Sequence, residues 1–80
     1  MADAGRKLRG LTGARVVRAL RKAGWREADR TGKHLGLQNP SYPGLKVTVP
    51  AHGGKELKIK TVLSILKQAQ LTVEEFERLL

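Results

Sequence analysis

The chain contains no cysteine, which removes disulfides, thiolate zinc sites and a cysteine nucleophile. Aromatics are scarce, with one Trp, one Tyr and one Phe, so the core has to be mostly aliphatic. Acidic residues are few: 7 Asp plus Glu face 16 Lys plus Arg, and the formal net charge of the 80 residues is +9. No apolar run approaches the ~18 residues of a membrane span, and the first residues lack the apolar stretch of a secretory signal. These absences predict a small cytoplasmic protein. A domain of this size buries roughly 60% of the surface its unfolded chain exposes, which leaves no room for a deep cofactor cleft.

What the chain does have is positive charge, unevenly spread. Glu74, Glu75 and Glu77 sit near the end, so the cations dominate what precedes them. That balance points to a polyanionic partner: nucleic acid, an anionic membrane surface or an acidic protein. Residues 1–11, with Arg6, Lys7 and Arg9, read as a basic flexible tail, and residues 12–80 as a single domain.

Thr12 reads as an N-cap. From Gly13 to Ala23, Val16, Val17 and Leu20 share one helical face, and Gly24 supplies the stop. Trp25 to Arg30 reads as a strand, Thr31-Gly32 as a tight turn and Lys33 to Asn39 as a second strand. A breaker-rich loop from Asn39 to Gly44 leads into a third strand, Leu45 to Val49, closed by Pro50. A second helix begins near Lys58 to Lys60 and runs to Gln68 or Ala69, burying Val62, Ile65, Leu66 and Ala69. Thr72 and Glu75 form a capping box for a short last helix that docks Phe76, Leu79 and Leu80. The order α-β-β-β-α predicts an α+β fold. Both main helices cover one face of a three-stranded antiparallel sheet, and the other face stays open. The double-stranded-RNA-binding-like fold has this arrangement.

The candidate for chemistry is His34, in Gly32-Lys33-His34-Leu35-Gly36; spacing alone also admits a strand histidine that makes a structural hydrogen bond or is simply exposed. Cutting RNA without a metal needs a base for the 2′-hydroxyl proton, an acid for the departing 5′-oxygen and cations for the phosphorane between them. Histidine suits the first two roles, because its ordinary pKa of about 6.5 lies near working pH. Lysine and arginine suit the third. If Leu35 and Leu37 face the helices, strand periodicity sends His34, Gly36 and Gln38 to the open side. The same counting puts Lys46 and Thr48 outward on the third strand, and Arg26, Ala28 and Arg30 outward on the first. The predicted open face thus carries Arg26, Arg30, His34, Gln38, Lys46 and Thr48. A register slip or bulge near Gly36 would reverse part of this.

The same counting puts Lys33 on the helix side, but it is next to the turn and its long stem can reach the rim. Lys55, Lys58 and Lys60 gather at the start of the second helix, as a phosphate rail or a solvated helix start. His52 reads as a loop histidine, with a second acid–base role as the alternative. Two histidines without nearby carboxylates make a poor metal site, so neither metal nor cofactor is expected. Trp25 reads as core, whereas Tyr42 is open to stacking on a base.

From about Leu11 to Leu80 the chain resembles the HicA-type (YcfA-like) mRNA interferase toxins. The resemblance is carried by Arg18-Ala19-Leu20-Arg21-Lys22-Ala23-Gly24-Trp25, Gly32-Lys33-His34, Asn39-Pro40 and Val47-Thr48-Val49-Pro50-Ala51-His52. It continues through Lys55-Glu56-Leu57-Lys58, Thr61 to Ala69 and Thr72-Val73-Glu74-Glu75-Phe76. No single piece is specific, but all of them in this order are. The resemblance implies a metal-independent endoribonuclease with the fold just described, His34 as its catalytic histidine, and an antitoxin of the HicB type that covers the site. Lys33 stands where the family usually has Ser or Thr, Leu37 where an aromatic or larger aliphatic is common, and Gln38 where Arg or Lys is common. Gly36 is small for a strand. The residues alone also admit a non-catalytic RNA-binding module of the same fold, or a basic face that serves only an acidic protein.

Overall fold

The computed structural model describes residues 6–51 and 54–80. Its elements are a 3-10 turn (Arg6–Leu8), α1 (Gly13–Lys22), β1 (Arg26–Thr31), β2 (His34–Gln38), β3 (Val47–Pro50), α2 (Ile59–Ala69) and α3 (Val73–Glu77). The three strands form one antiparallel sheet in the order β1-β2-β3, so β2 is central. The predicted α-β-β-β-α order and sheet are present, with element ends within one or two residues of expectation.

Local chemistry explains the boundaries. The Thr12 side chain accepts from the Arg15 N–H and opens α1, satisfying one of the donors a helix start leaves free. Val16, Val17, Ala19 and Leu20 form its buried stripe. In α2, Val62, Ile65, Leu66 and Ala69 do the same. Thr72 and Glu75 exchange backbone-to-side-chain hydrogen bonds at the start of α3. The Thr72 backbone N–H, then its hydroxyl, hold the Glu75 carboxyl below its ordinary range.

The core lies between the helices and the inward face of the sheet. Leu37, Val47 and Val49 are fully buried there, with Leu35 nearly so. They pack with Leu20, Trp25, Val62, Ile65 and Phe76. Residues before Thr12 join this core: Leu8 and Leu11 are 0% and 1% exposed. The expectation of a flexible tail over 1–11 therefore meets a packed segment from Arg6 onward, because two leucines in it have apolar surface to bury. Residues 1–5 of that tail lie outside the described residues.

Gly13 explains how α1 reaches the sheet. A Cβ there would lie 2.1 Å from the Pro50 carbonyl oxygen, so only glycine lets the helix start rest on the end of β3. The bridge Thr12↔Glu56 and the Leu57 N–H donated to the Leu11 carbonyl tie the start of α1 to the segment entering α2.

Candidate active site

His34 opens β2, beside the two-residue turn Gly32-Lys33. It pairs with Thr31 on β1 and Pro50 on β3. Its neighbours Leu35 and Leu37 point into the core, so the imidazole projects from the uncovered face, where it is exposed. It makes no hydrogen bond among the described residues. The expectation of an outward, accessible histidine is met in position.

The cations around it are arranged differently from the prediction. Arg26 pairs with Gln38 and Glu27 with Leu37, but the next pair is Asp29↔Gly36. Ala28 is the extra residue of a β-bulge, and every later residue of β1 changes face relative to simple counting. Arg30 therefore pairs with buried Leu35 rather than standing outward. It lines a groove of about 300 Å³ on the helix side with Arg18, Arg21, Glu27 and Ala51. Arg30 on the open face is thus corrected; Asp29 and Thr31 stand there instead.

Asp29 changes the electrostatics of that face. Its carboxylate holds the Lys46 ammonium at 2.5 Å, and the pair lies across Gly36. A Cβ on Gly36 would meet the Lys46 Cε at 2.4 Å and the Asp29 Oδ1 at 2.5 Å, which accounts for a glycine in mid-strand. Both side chains remain about half exposed, at 46% and 49%, so the pair adds little stability. What it does is neutralise a cation expected to be free.

Arg26 is also engaged. Its Nη1 donates to the Arg21 and Trp25 carbonyls at 2.9 and 3.0 Å, against the C-terminal end of α1, where a cation is favoured. By contrast, Arg18 and Arg30 make no ion pair among the described residues, and Arg21 reaches Glu27 only at 3.9 Å. Accessible positive charge is thus concentrated in the α1–β1 groove as well as near the turn.

Lys33 is exposed in the turn next to His34, and its carbonyl accepts from the Ala51 N–H. Pro50 and Ala51 rest on Gly13. Lys55, Lys58 and Lys60 are exposed on the segment that the Thr12↔Glu56 bridge joins to the start of α1, and Lys58 is the N-cap of α2. The His34 end of the sheet and the starts of both long helices therefore share one end of the molecule. His52 lies outside the described residues.

Sequence reading places Asn39 at the end of the second strand and the start of the loop but misses its organising role. Asn39 is buried. Its Nδ2 donates to the Ala23 carbonyl, and its Oδ1 accepts from the Ser41 N–H. The signal was available: Asn followed by Pro-Ser is the composition of an Asx turn.

A family model described as "HicA toxin of bacterial toxin-antitoxin" matches residues 13–71. The chain belongs to the HicA toxin family. The matched stretch runs from the first residue of α1 past the end of α2, so it includes His34 and the whole sheet. Membership makes this a toxin-family protein of a toxin–antitoxin system and implies an antitoxin as partner. No curated protein gives a significant match to the chain. Among the described residues, no helix is long and apolar enough to cross a membrane.

Proposed function

We propose that this HicA-family chain is a metal-independent endoribonuclease that cleaves mRNA in the cytoplasm, as the toxin of a type II pair. A HicB-type antitoxin holds it inactive by covering the open face. The observation that carries this reading is the exposed His34 imidazole at the end of the central strand, unclaimed by any hydrogen bond among the described residues. Its setting is cationic, with Lys33 one residue away. A histidine kept for a structural hydrogen bond would instead be tied to a carbonyl or carboxylate.

In the proposed reaction His34 takes the proton of a 2′-hydroxyl as that oxygen attacks the adjacent phosphorus. The bond from phosphorus to the 5′-oxygen breaks, and the leaving oxygen takes up a proton from the imidazolium. The products are a 2′,3′-cyclic phosphate and a 5′-hydroxyl, with no net proton change. Lys33 stabilises the charge that builds on the phosphorane. Lys55, Lys58 and Lys60 hold the flanking backbone beside the helix starts. Arg30, with Arg18, draws the strand over the edge of β1; Arg26 contributes through its remaining Nε and Nη2 donors, and Lys46 reaches the backbone only where a phosphate displaces Asp29.

The test is incubation of the purified chain with single-stranded mRNA in excess EDTA. Cleavage should survive chelation and leave cyclic phosphate ends. His34→Ala should lose ~10²–10⁴-fold in rate, the usual contribution of one positioned acid–base group. Equal cleavage by the variant would sink the proposal.

A further inference from the structure

A second concavity opens at the other end of β2 from His34, beside the edge of β1. It has a volume of about 430 Å³, and its walls include Arg26, Glu27, Ala28, Gln38, Tyr42 and Leu45. Along β2, His34 and Gln38 are four residues apart, a separation of ~13 Å at the usual strand rise. A few nucleotides of single strand span that gap, and the Lys46–Asp29 pair lies between.

The walls are built for a flat, edge-reading ligand. The Tyr42 ring lies on buried Trp25, with centroids 5.8 Å apart and planes 4° from parallel. One face of Tyr42 is covered, and the residue stays 37% exposed. Asn39 fixes the loop that carries it: the Asn39 carbonyl accepts from the Tyr42 N–H at 2.9 Å, and the side chain bonds Ala23 and Ser41. The ring is positioned before any ligand arrives, which reduces the entropy lost on binding.

Polar groups converge beside it. With Nη1 committed to two carbonyls, the Arg26 guanidinium has a fixed orientation, and the Nε and Nη2 donors remain. Gln38, paired with Arg26 across the strands, adds an amide donor and acceptor. A phosphate would use the guanidinium but neither the aromatic face nor the amide. A nucleobase uses all three, and glutamine and arginine both match purine edges in bidentate fashion.

We infer that this cavity holds one unstacked purine base of the RNA, stacked on Tyr42 and read at its edge by Gln38 and Arg26. The inference deepens the nuclease reading by assigning a base subsite a few nucleotides from the cut, and it relies on that reading for where the cut lies. Base capture itself is measured by binding alone.

The experiment uses the full chain carrying His34→Ala, with oligoadenylate and oligouridylate of equal length, so that backbone charge cancels. Oligoadenylate should bind more tightly and alter the emission of Trp25, the sole tryptophan. Adding Tyr42→Ala should weaken oligoadenylate binding roughly 5- to 150-fold, the range for one base–aromatic stack, and level the two oligomers. Tyr42→Phe should keep the preference. Gln38→Ala leaves the Trp25–Tyr42 pair untouched and should shrink the preference, so it decides the matter if Tyr42→Ala fails to fold. Equal affinities of the His34→Ala chain for both oligomers overturn the inference and leave the cavity to a protein partner. So does a preference that survives Gln38→Ala undiminished. Equal affinities alongside EDTA-resistant cleavage by the unmutated chain would remove the base subsite and keep the nuclease. A purine preference without cleavage would do the reverse.

Discussion

The two edges of the sheet are held in opposite ways. On β3, Val47 and Val49 are fully buried and alternate with exposed Thr48 and half-buried Pro50. Its end rests against Gly13 of α1, and the Thr48 N–H donates to Gln68 Oε1 on α2 at 3.0 Å. Thr48 and Pro50 share one orientation along the strand, so the N–H that would follow on that outer edge belongs to a proline and does not exist. On β1 all six residues are exposed. Pairing with β2 and the short turn hold it, and four charged side chains, Arg26, Glu27, Asp29 and Arg30, guard it against edge-to-edge association. One edge belongs to the core, whereas the other is a surface ribbon free to carry charge.

This difference predicts a steep contrast in stability. Val49→Ala removes two buried methyl groups and leaves a cavity, and should cost about 2–3 kcal/mol. Gly13→Ala drives a Cβ into the Pro50 carbonyl and should cost about 1–3 kcal/mol despite alanine's better helix propensity. Gln68→Ala strips the side-chain acceptor that caps the Thr48 N–H on the β3 edge, at up to about 1.5 kcal/mol. Thr31→Ala on β1 should stay within about 0.5 kcal/mol. Urea unfolding of the four variants, read as midpoint shifts at constant slope, checks the ranking. A Thr31→Ala loss equal to that of Val49→Ala would show that β1 is integral to the core after all.

The same contrast decides what could be read from sequence. The register of β3 was legible because burial of one face fixes which residues point inward, and Val47-Thr48-Val49 displays that choice. The α1 and α2 stripes and the Thr72–Glu75 capping box were legible for the same reason: each follows from local spacing. His34 was placed outward because Leu35 and Leu37 flank it on the core side. β1 offers no such evidence. Arg-Glu-Ala-Asp-Arg-Thr has no apolar alternation, so nothing in it marks Ala28 as a residue outside the regular alternation that begins at Trp25. The bulge consumed one residue, and Asp29 and Arg30 exchanged the faces assigned to them. The burial of Leu8 was equally invisible, since a lone leucine among cations carries no period. Asn39 needed its partner carbonyl on Ala23, sixteen positions away, before its role could be seen.

The exchange at β1 has a consequence for RNA binding that a single substitution exposes. Asp29 stands on the open face and holds Lys46, so that side of the sheet is close to neutral between His34 and the Tyr42 cavity. Removing the carboxylate charge in Asp29→Asn should release Lys46 to a phosphate. Each further phosphate contact on a single strand steepens the dependence of log affinity on log salt by about 0.7. Asp29→Asn should therefore bind single-stranded RNA more tightly at low salt, with a slope steeper by roughly that amount, while unfolding at nearly the same urea concentration because the pair is exposed. Arg30→Ala should move the slope the other way if the strand crosses the β1 edge. Titrations of both variants in the His34→Ala background, at several salt concentrations, separate the two faces. A slope unchanged in Asp29→Asn but shallower in Arg30→Ala would place the RNA backbone in the α1–β1 groove rather than across the sheet. A slope unchanged in Arg30→Ala but steeper in Asp29→Asn would confine it to the open face with His34.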